Sequence, residues 1–205
     1  MAKVGERGRP RGFDKEIALH KALDVFVSKG YEATSLDDLT EAMGINRPSL
    51  YAAFGNKEAL FLQALEAYAC PQDARMRALL FSEPDTHRAL AALFTGVAEQ
   101  HALQEAEGRP MGCLVANSTV LSCGEQQALS AKLKQMHDRH EAMLHERLEL
   151  GRSSGDLPPE TDTLALARFF NGLLAGMGVL ARAQQNPDAL RSIASVAIAA
   201  LPEKP

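Results

Sequence analysis

Between Gly44 and Phe61 the chain reads GINRPSLYAAFGNKEALF, and its polar side chains share one chemistry. Arg47 carries a planar donor fork that matches a guanine edge, while the apolar surfaces of Pro48 and Ala52 match thymine methyls. Tyr51 brings a hydroxyl and Lys57 a point charge, groups that meet phosphate. Leu50 and Phe54 lie four apart, so on a helix they face inward together, which turns Pro48, Ser49, Tyr51 and Ala52 outward and leaves Arg47 at the helix start. Ala52 and Ala53 are small enough to let the backbone approach closely. The pattern implies a short helix pressed into a groove of duplex DNA.

Such a helix needs others to hold it. In DKEIALHKALDVFVSKG, Leu19, Ala22, Leu23 and Phe26 repeat at i, i+3, i+4, i+7, Asp14 is placed to cap the start, and Gly30 can adopt the positive φ that ends the helix with Tyr31 against Phe26. ATSLDDLTEAMG follows, where Ser35 and Asp38 have capping-box spacing ahead of the stripe Leu36, Leu39, Met43, and Gly44 permits a tight turn. Asn46 can cap the third helix, whose first turn tolerates Pro48. Gly55 stops it, and Asn56 caps a longer helix starting NKEALFLQALEAY. A helix, a glycine turn and a second short helix on a preceding one form a helix-turn-helix of the three-helix kind, with Ser35 and Lys57 at helix starts whose free amides suit phosphate.

The preceding arm, KVGERGRPRG, carries Lys3, Arg7, Arg9 and Arg11 among glycines and is too polar to fold alone; it can order along a phosphate backbone or in a minor groove. Net charge over the 205 residues is −4, yet residues 1–57 hold nine Lys/Arg against eight acids, so the acidic excess lies beyond them. Salt screens exposed charges beyond roughly 8 Å, so local charge decides what the first segment binds.

The rest is helical by pattern, with helices expected near residues 85–106, 112–122, 125–150, 161–184 and 187–201 and Pro71 expected to kink or interrupt the fourth helix. No sustained period-2 alternation marks a strand, so the fold class is all-α. Hydrophobic residues at 46 % and charged ones at 23 % place the chain among globular proteins rather than disordered ones. Trp is absent and Tyr scarce, which disfavours stacking on single strands. The charged N-terminus lacks the apolar core of a secretory signal, and the run Phe169 to Ala181 is too short to span a bilayer, so a cytoplasmic protein without membrane contact is expected. Three cysteines, Cys70, Cys113 and Cys123, make neither an even disulfide set nor a C-x-x-C metal signature.

The stretch GYEATSLDDLTEAMGINRPSLYAAFGNKEALF resembles the DNA-binding region of the TetR/AcrR repressors, in its G-y-x-x-T-S opening, its S-L-Y in the third helix and its F-x-N-K-E-x-L-F after it. The likeness covers roughly residues 13 to 62. It implies a one-component regulator, a homodimer that binds a palindromic operator and releases it on a small-molecule or thiol signal, with DNA contacts at Ser35, Arg47, Pro48, Ser49, Tyr51 and Lys57. Ala52 and Ala53 are smaller than the residues many members carry there, which throws base reading onto Arg47 and DNA shape. The last two helices would pair across a two-fold axis, through Leu164, Phe169, Leu173 and Leu180 with Gly172 and Gly176, and through Leu190, Ile193, Ala197 and Leu201; the other reading is that they complete a monomer core. MGCLVANS resembles a G-C-L-x-x-N segment of one branch, in which the cysteine sometimes senses oxidants, electrophiles or metal.

Cys113 would sit in a helix's first turn with Arg109 just before it, and both favour thiolate; the alternative is a buried cysteine acting as a small hydrophobe. On one continuous helix Cys113 and Cys123 would be about 15 Å apart, leaving a second chain's Cys113, a small thiol or Cys70 as partner. Phe94, Met111, Cys113, Asn117, Met143, Phe170 and Met177 are the residues expected to line an effector pocket. His137, His140 and Glu141 could share a helix face, but in so charged a segment a solvated face is the reading taken, so neither a metal nor a cofactor is expected. Two rivals remain: a helical interaction module that does not bind DNA, and a serine hydrolase built on GRSSG, Gly151 to Gly155, which matches the nucleophile elbow but lacks its strand and reads as an interhelical loop. The expected organisation is a basic arm 1–12, a DNA-binding domain 13–57 and a helical ligand-binding and dimerisation domain 58–205.

Overall fold

The computed structural model describes residues 12–121, 127–184 and 186–204; Arg9 and Arg11 of the arm, and Cys123, lie outside the described residues. The described residues form helices α1 (Lys15–Lys29), α2 (Leu36–Met43), α3 (Arg47–Phe54), α4 (Lys57–Phe81), α5 (Thr86–Ala106), α6 (Leu114–Leu121), α7 (Gln127–Ser154), α8 (Thr163–Gln184) and α9 (Pro187–Ala199), with no strand among them. The chain divides into two compact units, Met1–Ala64 and Leu65–Pro205, the division falling inside α4.

In the first unit each helix end has a local cause. Asp14 accepts from the amides of Glu16 and Ile17. Ser35 and Asp38 close a reciprocal capping box, and Asn46 and Asn56 accept from Ser49 and Ala59. Gly44 adopts the left-handed conformation (φ 67, ψ 33) that sets the turn between α2 and α3. The apolar stripes then meet: Ala22, Phe26, Leu39, Leu50, Leu60 and Phe61 are fully buried, and Phe26 meets Phe61 edge-on at 4.7 Å between ring centres. On α1 the buried residues are Ala18, Ala22 and Phe26, with Leu19 and Leu23 only half-buried.

The second unit is built around α5, α7, α8 and α9: α9 lies along α5 and α8, and α7 along α8. Leu90, Phe94, Leu144, Leu148, Phe170, Met177 and Ala197 belong to one buried cluster. Arg147 is buried and spends its charge on two backbone carbonyls, donating to those of Glu83 (3.2 Å) and Pro84 (2.6 Å) past the end of α4.

Three expectations are corrected. Of the two outcomes expected at Pro71, interruption does not occur, because the residue lies inside α4; the ring is on the exposed side, and Ala69, Met76 and Leu80 keep the buried side intact around it. GRSSG is not an interhelical loop, because Gly151 to Ser154 form the last turn of α7. Gly151 is buried there because α5 comes so close that an added Cβ would lie 3.0 Å from the Cβ of Thr86. Finally, Thr163–Ala183 is a helix long and apolar enough to cross a membrane by length and composition, although Ala167, Phe170, Met177 and Ala181 on it are buried within the second unit's core.

Candidate functional site

The geometry of the first unit follows from Leu50 and Phe54. Both are buried, so the opposite side of α3 presents Arg47, Pro48, Tyr51 and Ala52 to solvent, with Ser49 and Ala53 half-buried. Beside them Gly12, Phe13, Gly44, Ile45, Asn46, Ser49, Ala52 and Ala53 line an open recess, into which the two alanines project no further than Cβ.

Charges around α3 are already paired. Oδ1 of Asp37 accepts from Arg47 Nη2 at 2.7 Å and Nε at 3.2 Å, and this carboxylate raises the guanidinium's pKa. Asp38 accepts from Lys29 Nζ at 2.6 Å and from both the amide and hydroxyl of Ser35; Lys29 first, then Ser35, hold its carboxyl well below the usual range. The Ser35 hydroxyl is therefore engaged within the capping box. Lys57 Nζ sits 4.5 Å from the centre of the Tyr31 ring and 3.5 Å from the carbonyl of Glu32. At the start of α4 Asn56 satisfies the Ala59 amide.

The second unit contains a cavity of about 130 Å³. Its apolar wall includes Met76, Leu79, Leu93, Val97, Val115 and Leu174, and its polar wall Tyr68, Asp73, His101, Cys113, His137 and His140. Of the seven residues expected to line an effector pocket, Cys113 does. The others do not line this cavity: Phe94, Met111, Phe170 and Met177 are buried in the neighbouring core cluster, Met143 packs against it, and Asn117 is half-buried on α6. Large apolar side chains mark the core as readily as a cavity, and one sequence does not separate them.

Around Cys113 the packing is close. Its thiol lies against the Tyr68 hydroxyl, whose pKa is raised by burial and then by Cys113, and its amide donates to the carbonyl of Gly178 on α8 at 3.4 Å. Arg109, expected beside it, pairs instead with Glu107 at 2.5 Å. Cys70 and Cys113 are free thiols, the first exposed and the second half-buried. Asp73 accepts from His140 Nε2 at 2.8 Å and faces Arg139 Nη2 at 3.4 Å. His137 Nε2 is 3.0 Å from the Thr119 hydroxyl. Burial lowers the pKa of both His101 and His137 and so favours their neutral forms. Among the described residues no group of three or more His, Cys, Asp or Glu is placed to hold a metal ion.

Residues 18–64 match the family described as "Bacterial regulatory proteins, tetR family", and residues 86–197 match "Tetracyclin repressor-like, C-terminal domain". The chain belongs to the TetR family of bacterial regulatory proteins. The resemblance read at residues 13 to 62 thus extends through the second unit. This TetR-family chain is 36 % identical to the HTH-type transcriptional repressor ComR of Escherichia coli K12 over 96 % of its own length and 93 % of ComR. It is 31 % identical to the uncharacterised HTH-type regulator YezE of Bacillus subtilis 168 over 95 % and 99 % of the two chains. Among solved structures, a cysteine mutant of the TetR family transcriptional regulator CifR, complexed with double-strand operator DNA, matches with a TM-score of 0.85 and 36 % identity over 95 % of this chain and 100 % of that one.

Proposed function

We propose that this chain is a one-component repressor that binds a palindromic operator as a homodimer and releases it when the cavity of the second unit is filled or Cys113 is modified. The observation that carries the reading is the outward side of α3: a short, capped helix whose Leu50 and Phe54 are buried, and whose Arg47, Pro48, Tyr51 and Ala52 stand exposed together. These are groups that read and hold duplex DNA. Operator DNA bound by the similar CifR mutant supports the same role here. Ser35, Ser49 and Lys57 join the interface through phosphate, and Arg9 and Arg11 extend it through the arm. Residues 1–12, 13–57 and 58–205 serve as arm, DNA-binding domain and ligand-binding and dimerisation domain, acting in the cytoplasm.

Dimerisation is assigned to the outer side of α8, where Phe169 is 48 % exposed and a Cβ added at Gly172 or Gly176 would meet nothing within 4 Å. Val196 of α9 is exposed too, whereas Leu190, Ala197 and Leu201, expected on that face, are buried in the core. An enzymatic role through GRSSG is set aside, since its middle serine, Ser153, lies in the last turn of a helix and lacks the strained strand-to-helix turn of a nucleophile elbow.

Selection of bound duplexes from a genomic library by the full chain tests the reading and yields the operator. Arg47→Ala should then cost roughly 1–3 kcal/mol per half-site and relax base choice, whereas Lys57→Ala should weaken all sequences alike and lower the salt slope by about one. Equal losses on operator and random DNA for Arg47→Ala would refute its reading role; no salt-sensitive binding to any promoter fragment would favour the interaction-module alternative.

A further inference from the structure

We propose that Asp37 is a positioning residue for Arg47, holding its guanidinium for base reading and keeping it off the phosphate backbone. The inference rests on Arg47 reading DNA as set out above. Ten residues apart in sequence, the two side chains meet because the left-handed turn at Gly44 brings the start of α3 beside the start of α2. One carboxylate oxygen, Oδ1, accepts from Nη2 at 2.7 Å and from Nε at 3.2 Å.

Folding does not account for this pair. Its side chains are 54 % and 77 % exposed, and exposed pairs contribute little to stability. Nor is Asp37 needed to cap α2, since Ser35 and Asp38 already do so and Asp38 is held by Lys29. A carboxylate on the surface that meets phosphates is unfavourable for affinity as such, so its value must lie in what it does to Arg47.

The geometry points to two effects. A guanidinium has two forked edges, and Asp37 occupies the Nε/Nη2 edge, leaving Nη1 and the outer hydrogen of Nη2 for the paired acceptors of a guanine. The arginine arrives at the groove in one orientation, with less rotamer freedom left to lose. The second effect is repulsive. An Arg47 that swung toward a phosphate would leave Asp37 uncompensated next to the backbone, which penalises contacts that carry no sequence information.

The experiment compares the full-length protein with D37N, D37A and D37E, each also combined with R47A, on two probes: the duplex that the parent protein selects from a randomised library, and a shuffled duplex of the same composition. D37N and D37A should bind the shuffled duplex more tightly, with the selected-to-shuffled affinity ratio falling about three- to ten-fold. The base preferred opposite Arg47 should loosen when D37N is used for selection. D37E should keep most of the discrimination, because it retains the charge. In the R47A background D37N should leave the ratio where R47A set it, a result that a purely structural role for Asp37 would not produce. An unchanged ratio for D37N, or the same change with and without Arg47, overturns the proposal. A parent protein that fails to distinguish the two duplexes at any salt concentration would instead overturn the DNA-reading role of Arg47. Should D37A lose its helical signal, D37N and D37E carry the comparison.

Discussion

Two glycines on the wall of the same cavity offer a sharp test of how the second unit is packed. Gly96 lies within α5 and Gly178 within α8, so each substitution by alanine adds one methyl to a helix interior. At Gly96 the new Cβ would lie 3.5 Å from Arg75 Nη2 and 3.6 Å from Leu79 Cδ1, ordinary contact distances. At Gly178 it would lie 2.6 Å from the Cβ of Cys113 and 3.4 Å from that of Ala116. The first atom has nowhere to retreat, because the Cys113 N–H donates a hydrogen bond to the Gly178 carbonyl and the residue stands at the entrance of α6. Gly96→Ala should therefore gain about 0.5–1 kcal/mol from helix propensity, and Gly178→Ala should lose about 1–3 kcal/mol to overpacking. The variants then differ by roughly 1.5–4 kcal/mol, or about 3–16 °C in unfolding midpoint for a chain of this size. Circular-dichroism melts at one protein concentration read the difference directly. Midpoints that coincide, or a more stable Gly178→Ala protein, would show that α6 is not pressed onto α8, and the placement of Cys113 on the cavity wall would fall with it.

Substituting Cys113 by serine should abolish release of DNA by oxidants or electrophiles while leaving binding intact; release that persists in this variant would rule the thiol out. Phe169→Asp should shift the protein toward monomer in sedimentation and weaken operator binding, with helicity retained, and a dimer of undiminished strength would refute the assignment of the outer side of α8. His101 and His137 hold protons more weakly folded than their ordinary value of 6.5. The stability this difference supplies is fully present above that pH and is lost as pH falls from 6.5 toward the lower native values, because there the unfolded chain binds more protons. Denaturant midpoints measured across that window should therefore drop on acidification, and His101→Gln should flatten the slope; an unchanged slope would contradict the burial of that ring.

Much of the first unit is written in short-range signals. Asp14, Ser35, Asn46 and Asn56 each bond an amide two or three residues ahead, and the spacing of Leu50 and Phe54 alone settles which side of α3 is left exposed. Interactions of that reach depend on local backbone geometry, so residue type and spacing determine them. The cavity was not legible in that way. Phe94 and Met177 are as apolar as Leu93 and Val97, yet of the four only the latter pair lines this cavity; which side of a fully packed helix borders a void depends on how α5 and α8 meet their neighbours. The same holds for Gly151, which looks like a turn signal and is instead the point where α5 touches α7. It holds again for Asp37, whose meaning appears only when the turn at Gly44 brings Arg47 to it. In the first unit, residue types and spacing were enough to place the helices, their caps and the side that α3 exposes, because caps and apolar periods act within a turn or two of the chain. Tertiary structure decided the cavity, the seat of Cys113 and the partner of Arg47, because each depends on contacts between residues far apart along the chain.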